Sequence, residues 1–409
     1  MRIQNLTTVN PTYLEQFYTL NQQTLPSNYE TMLADLLYDA HGWSDFLSVA
    51  LQKQGVEMEV VVGNAPQLQQ QWAIENGIAY SPNNWKHEIL AAQICQYRPD
   101  ILFLTDYWNY PAEFITHVRG LCPSIKSVIV WCGAPFRDSS IFRVSDLVLS
   151  CIPDLVDQFR SLGTRSELLD HAFEPRILER LRLDTDPLVE FAFLGSIVLR
   201  SQFHLERERL LSRLIDQVEI EIWSDLTRVG CCDRAGQHAR RLAYDFVDHL
   251  RRRGVPTSLL ERMPVVERVA KWKERPLIPR PVNRRLLSHS HPPLFGLQMF
   301  QKIHESKLVL NKHIDISARS SSNLRLYEVT GVGSCLITDW KKDISRNFEP
   351  DKEIVTYRTA EECLEKVSYL LDHEETRRQI AQAGQQRTLR DHTFDRRAPQ
   401  LISYIQAVV

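Results

Sequence analysis

Residues 323–340 read NLRLYEVTGVGSCLITDW, an apolar run carrying one guanidinium, Arg325, and one carboxylate, Glu328. Three positions apart, they share a helix face, where a simple ion pair contributes about 0.2–0.5 kcal/mol. Spacing alone favours that pair. Just upstream, Ser320, Ser321, Ser322 and Asn323 are all N-cap types, so the sequence predicts a helix beginning there. Such a start aims free N–H groups and a positive dipole end into the preceding loop, which suits a diphosphate. Ser322 and Asn323 would then flank the anion. Glu328 would be free to accept hydrogen bonds from vicinal hydroxyls such as a ribose diol. The glycines at 331 and 333 read as a C-terminal cap and a tight entry into the next strand.

Other groups with chemistry stand at expected strand ends. NKHID (311–315) places His313 and Asp315 just past an apolar strand, where open α/β sheets bind ligands. The plainer alternative is a loop histidine bonded to backbone. Gly195 and Ser196 follow FAFL, and small residues there let a backbone approach a phosphate. Arg200 would supply charge to that phosphate. One Gly-Ser pair also fits an ordinary strand-to-helix turn. His41, Asp106 and Asp138 sit at loop positions suited to a general base, and each equally suits a cap. Tyr107 and Trp108 offer rings for stacking on a sugar or for the rim. Asp184 and Asp186 fall in a polar break away from any strand end, and the eight cysteines lack metal-type spacing. No metal site is expected, and the cysteines read as reduced core residues of a cytoplasmic protein.

The text that must position these groups alternates strand and helix. MRIQNL, VEMEVVVGN, PDILFLTD, SVIVWCG, DLVLSC and SELLDHAF read as strands, with helical segments such as WSDFLSVALQKQG and WKHEILAAQICQY between them. Strands apolar on both faces belong to a parallel sheet covered by helices. LRLDTDPLVE (181–190) is a candidate linker, after which the alternation restarts. The expectation is α/β: a Rossmann-like domain over 1–180 and a second over 187–394. A helix at about 395–409 would return to the first domain. A basic insert at about 228–293 reads as a solvated helical face, with an anionic acceptor or a membrane surface as the alternative. Hydrophobic residues make up 43 % and charged residues 24 % of 409, with a formal net charge of -2. That balance gives no global argument for nucleic acid. No run is long enough to span a bilayer.

The string from NLRLYEVTGVGSCLITDW through DHTFDRR closely resembles the C-terminal part of the CgeB-like, group-1-type glycosyltransferases. FGLQMFQKIHESKLVLNKHID, FAFLGSIVLRSQFHLERERLL and, less specifically, YRPDILFLTD and DLVLSCIPDLVDQFRSLG extend the likeness over most of the chain except the insert. The resemblance implies a GT-B fold, two Rossmann-like domains across a cleft. It further implies a nucleoside diphosphate-sugar donor held by the second domain, no essential metal, no cofactor beyond that co-substrate, and Glu328 as the ribose-binding glutamate. The acceptor, whether glycan, lipid-linked or protein, stays open. Many retaining relatives carry a glutamate seven residues earlier; here position 321 is Ser321, which leaves stereochemistry open. Two alternatives remain: a binding protein that has kept the fold without catalysis, and a sugar-nucleotide epimerase.

Overall fold

The computed structural model describes residues 1–22, 27–134, 136, 138–184, 186–197, 204–226, 231–263, 266–272, 275–276, 283–315, 317 and 319–409, with backbone alone for 231–234. Two six-stranded sheets organise the chain. The first contains β1 (Arg2–Thr7), β2 (Glu57–Val62), β3 (Ile101–Leu104), β4 (Ser127–Trp131), β5 (Leu147–Ser150) and β6 (Ser166–Leu168), in the order β2-β1-β3-β4-β5-β6. All its pairings are parallel; Leu6, for example, lies between Val61 and Leu104. Every residue of β3 and β5 is buried, which explains why ILFL and LVLS lack polar alternation. The second contains β7 (Val189–Leu194), β8 (Glu221–Trp223), β9 (Ser290–His291), β10 (Ser306–Asn311), β11 (Cys335–Asp339) and β12 (Val355–Tyr357), ordered β12-β11-β10-β7-β8-β9.

By internal contacts the chain divides into two compact units, Met1–Ala192 with Leu294–Val409, and Phe193–Pro293. In the larger unit, Leu102, Val130 and Val148 of the first sheet pack with Ile115 and Phe159 of its covering helices. Two helices, α1 (Pro11–Leu20) and α2 (Tyr29–Tyr38), close a second cluster around Tyr13, Phe17 and Leu36. The Phe394–Gln406 helix packs on α3 (Phe46–Gln52), with the Phe46 and Phe394 rings 5.4 Å apart and Lys53 paired to Asp395 at 2.8 Å. The chain reaches that helix through a short parallel bridge: the Phe173 N–H donates to the His392 carbonyl at 2.8 Å.

The smaller unit holds the 22-residue Cys231–Arg252 helix, whose Val247 packs with Leu260 and Ala270. Leu242 and Phe246 on that helix are exposed. Among the described residues no helix is long and apolar enough to cross a membrane. Cys122, Cys132, Cys151, Cys335 and Cys363 are buried as free thiols, in no disulfide.

Candidate functional site

The helix that carries Glu328 runs Arg325–Gly331, and its N-cap is Leu324 with no side-chain cap bond. This corrects the expected serine cap. Ser320, Ser321 and Ser322 are all buried, and none of them caps the helix. Ser317 Oγ donates to the Ser320 carbonyl and meets Ser322 Oγ, both at 2.9 Å. The Ser321 N–H donates to Asp343 Oδ1 at 2.7 Å, while Ser321 Oγ is buried without a partner. Asn323 reaches back to the end of β10, donating to Asn311 Oδ1 at 2.8 Å. The first-sheet side also grips this loop: Cys151 Sγ lies 3.8 Å from the Ser322 carbonyl, and the His171 ring donates to the same backbone.

Arg325 and Glu328 do pair, Nη1 to Oε2 at 2.7 Å, with side chains only 16 % and 8 % exposed. Arg325 Nη1 also lies 3.0 Å from Met299 Sδ. Burial pushes the Glu328 carboxyl up, against the pull of the Arg325 charge. The carboxylate is therefore costly to keep here.

Next to this loop, the strand ends of β10 and β11 assemble a charged cluster. Their register sets Asn311 opposite Thr338, which brings residues 312–313 beside 339. Asp339 receives His313 Nδ1 at 2.7 Å, the His313 N–H at 2.9 Å, Lys312 Nζ at 2.9 Å and Lys341 Nζ at 3.1 Å. Burial works to raise the Asp339 carboxyl, but His313 and the two lysines outweigh it and hold it well below the usual range. His313 itself is fully buried, and its Nε2 has no partner. Asp315 is half-buried on the same loop. Sequence reading found His313 and Asp315 here but missed Lys312, Asp339 and Lys341. The signal was present as charge at the end of both strands, in NKHID and TDWKK.

The first-sheet candidates separate. Asp106 is tied up by Thr8 Oγ1, the N–H groups of Trp108 and Asn109, and the Asn109 amide. Asp138 is exposed and accepts the Ser140 N–H at 2.8 Å. His41 stacks on Tyr13, centroids 4.0 Å apart, with Phe295 edge-on at 5.4 Å. Burial lowers its pKa to about 4, so it is neutral at pH 7. It lines a small cavity with Thr7 and Thr8, and Thr8 Oγ1 in turn donates to Asp106.

In the smaller unit, the Gly195 N–H donates to the Trp223 carbonyl at 3.0 Å and the Ser196 carbonyl accepts from Arg207 at 2.6 Å. Arg200 lies outside the described residues. Among the described residues no group of three or more His, Cys, Asp or Glu is placed to hold a metal ion.

Comparison with known proteins supplies the fold class. HepE from Anabaena, in complex with UDP-glucose, superposes with a TM-score of 0.55 at 10 % identity, covering 100 % of both chains. Sucrose-phosphate synthase from Thermosynechococcus elongatus gives 0.52 at 10 %, covering 100 % of this chain and 98 % of that one. A glycosyltransferase from Rickettsia africae gives 0.52 at 9 %, with coverage of 100 % and 98 %. The fold is GT-B. Residues 240–403 match the sequence model of a family described as Glycosyl transferase-like. That stretch includes Glu328, the serine loop and the Asp339 cluster. No curated protein matches the chain.

Proposed function

We propose that this GT-B protein is a glycosyltransferase that moves a sugar from a nucleoside diphosphate-sugar to a separate acceptor without a metal ion. The observation that carries the reading is Glu328, a nearly enclosed carboxylate behind the β10 loop, inside the stretch that matches the glycosyl transferase-like family. A buried carboxylate that is expensive to ionise suits a ligand hydroxyl pair better than it suits stability. The CgeB-like motif string assigns the same role to it. The two lysines that gather on Asp339, Lys312 and Lys341, favour a diphosphate near the strand ends. UDP is the first nucleotide to test, since HepE is seen with it.

In this proposal Ser322, Asn323 and Arg325 shape the donor pocket with His313 and Asp315. His41 and Asp106 are the leading base candidates for the acceptor hydroxyl, ahead of the exposed Asp138. Ser321 in place of an acid fits an inverting transfer. It also favours a second reading, nucleotide-sugar binding without transfer, which a turnover assay separates from the first.

Thermal-shift titration with UDP, GDP and ADP, each with and without EDTA, tests the reading. A nucleotide at 100 times its Kd stabilises by about 2.7 kcal/mol. Stabilisation by one of them, indifferent to EDTA, is expected. No shift with any would refute donor binding, and a shift that needs a restored divalent cation would refute metal independence.

A further inference from the structure

A cavity of about 510 Å³ opens between α1, α2 and the start of the Gly296–His304 helix. It lies wholly within the larger unit. Its apolar walls are the rings of Tyr13, Phe17, Tyr38 and Phe295, with Leu20 and Leu297 beside them. Its polar walls are the carboxylates of Asp35 and Asp39 and the amides of Gln16, Asn21 and Gln298. No Lys or Arg lines it among the described residues. The guanidinium of Arg180 lies over the Tyr38 ring at 4.3 Å and donates to the Tyr38 carbonyl at 2.7 Å, so it is held by that residue.

The wall is built rather than incidental. The Leu297 N–H donates to the Asp39 carbonyl at 2.8 Å, and the Asp39 carboxylate accepts from Tyr13 and Leu297. Gly296 sits at φ +53 directly against Asp39, where a Cβ would overlap the Asp39 carbonyl and carboxylate. Gln298 lines the cavity, and the next residue, Met299, touches Arg325, the partner of Glu328. On the other side, His41 stacks on Tyr13 and meets Phe295.

Flat rings beside carboxylates and amides match the two faces of a saccharide, whose C–H surface packs on aromatics and whose hydroxyls seek charged or bidentate acceptors. Asp35 and Asp39 give this wall negative character, although burial pushes the Asp39 carboxyl up, and no lining cation among the described residues offsets it, which disfavours a phosphate or carboxylate. We infer that this cavity binds the acceptor, and that the acceptor is an uncharged or amino-bearing polyhydroxyl compound, not a phosphorylated one. The inference rests on the glycosyltransferase reading above.

The test is calorimetric titration of the full chain, in saturating UDP, with glucose, mannose, galactose, maltose, glucosamine, glucose 6-phosphate and mannose 6-phosphate. At least one neutral or amino sugar should bind, and Asp35→Lys and Tyr38→Ala should each weaken it about tenfold, as loss of one charged hydrogen bond or one stacked ring does. Both positions are exposed, and thermal melts should confirm that the variants fold. A sugar phosphate that binds more tightly than its parent overturns the inference. So does binding unchanged in both variants, or no binding by any of the seven sugars. UDP binding without any sugar binding sinks only this inference, whereas absence of nucleotide binding sinks the parent reading.

Discussion

Replacing Glu328 by glutamine separates a binding carboxylate from a structural one. The amide keeps the shape and removes the charge. If the carboxylate receives ligand hydroxyls, each charge-assisted bond falls from about 1.5–3 kcal/mol to about 1 kcal/mol. Two such bonds weakened in this way lower nucleotide affinity by roughly 1–4 kcal/mol, about 5- to 800-fold in Kd. Stability responds differently. Arg325, 16 % exposed, loses its counter-ion, and unpairing a buried ion costs about 3–5 kcal/mol. Relief of the desolvation that raises Glu328 offsets part of this. The folded carboxyl titrates above its unfolded value, so its contribution to stability is present at low pH and is lost as pH rises through the folded pKa. Urea unfolding should therefore show a modest loss at pH 7. Calorimetry with UDP should show the larger proportional change. A variant that loses several kcal/mol of stability yet binds UDP like wild type would mean that Glu328 only serves Arg325.

Gly296→Ala should lower the melting temperature by several degrees, since it places a Cβ at φ +53 against Asp39 and costs about 1–3 kcal/mol; an unchanged melt would refute the close approach. Asp339→Asn leaves Lys312, Lys341 and His313 without their shared carboxylate, so urea unfolding should show about 3–5 kcal/mol lost at pH 7. The Asp339 carboxyl is depressed in the fold, so the gap between variant and wild type should narrow as pH falls through its folded pKa. His41, His171 and His392 are held neutral with pKa values lowered to about 4, against about 6.5 unfolded. Protons then bind the unfolded chain first, so stability should fall between about pH 6.5 and 4, by up to about 3 kcal/mol for each histidine. Flat urea midpoints from pH 7 to 5 would refute these burials.

Much of the fold is readable in the sequence because parallel strands buried on both faces announce themselves: ILFL and LVLS admit few other placements. Glu328 is legible as an acid in an apolar run. The serine loop misleads, since Ser320–Asn323 carry the chemistry of a helix cap yet bond to Ser317, Asp343 and Asn311, none of them in the helix that follows. Asp339 and Lys341 escape notice because TDWKK reads as a strand end followed by solvated lysines. Only the register of β10 against β11 brings them to His313, 26 residues away. The cavity by α1 is hidden for a similar reason. Tyr13, Asp35 and Asp39 look like ordinary residues of two surface helices until Phe295, from far along the chain, closes over them.

The Phe394–Gln406 helix has a consequence for how the chain is made. It covers Phe46 on α3, and Arg165 and Ser127 bond to carbonyls just beyond it, at Ala407 and Val408. During synthesis the first sheet therefore emerges well before the segment that covers it. At about 5–20 residues per second, the roughly 340 residues between α3 and this helix take tens of seconds to follow. For that interval Phe46 and its neighbours stay uncovered in the nascent chain, so the growing protein passes through a stage in which chaperone binding competes with the contact that completes it.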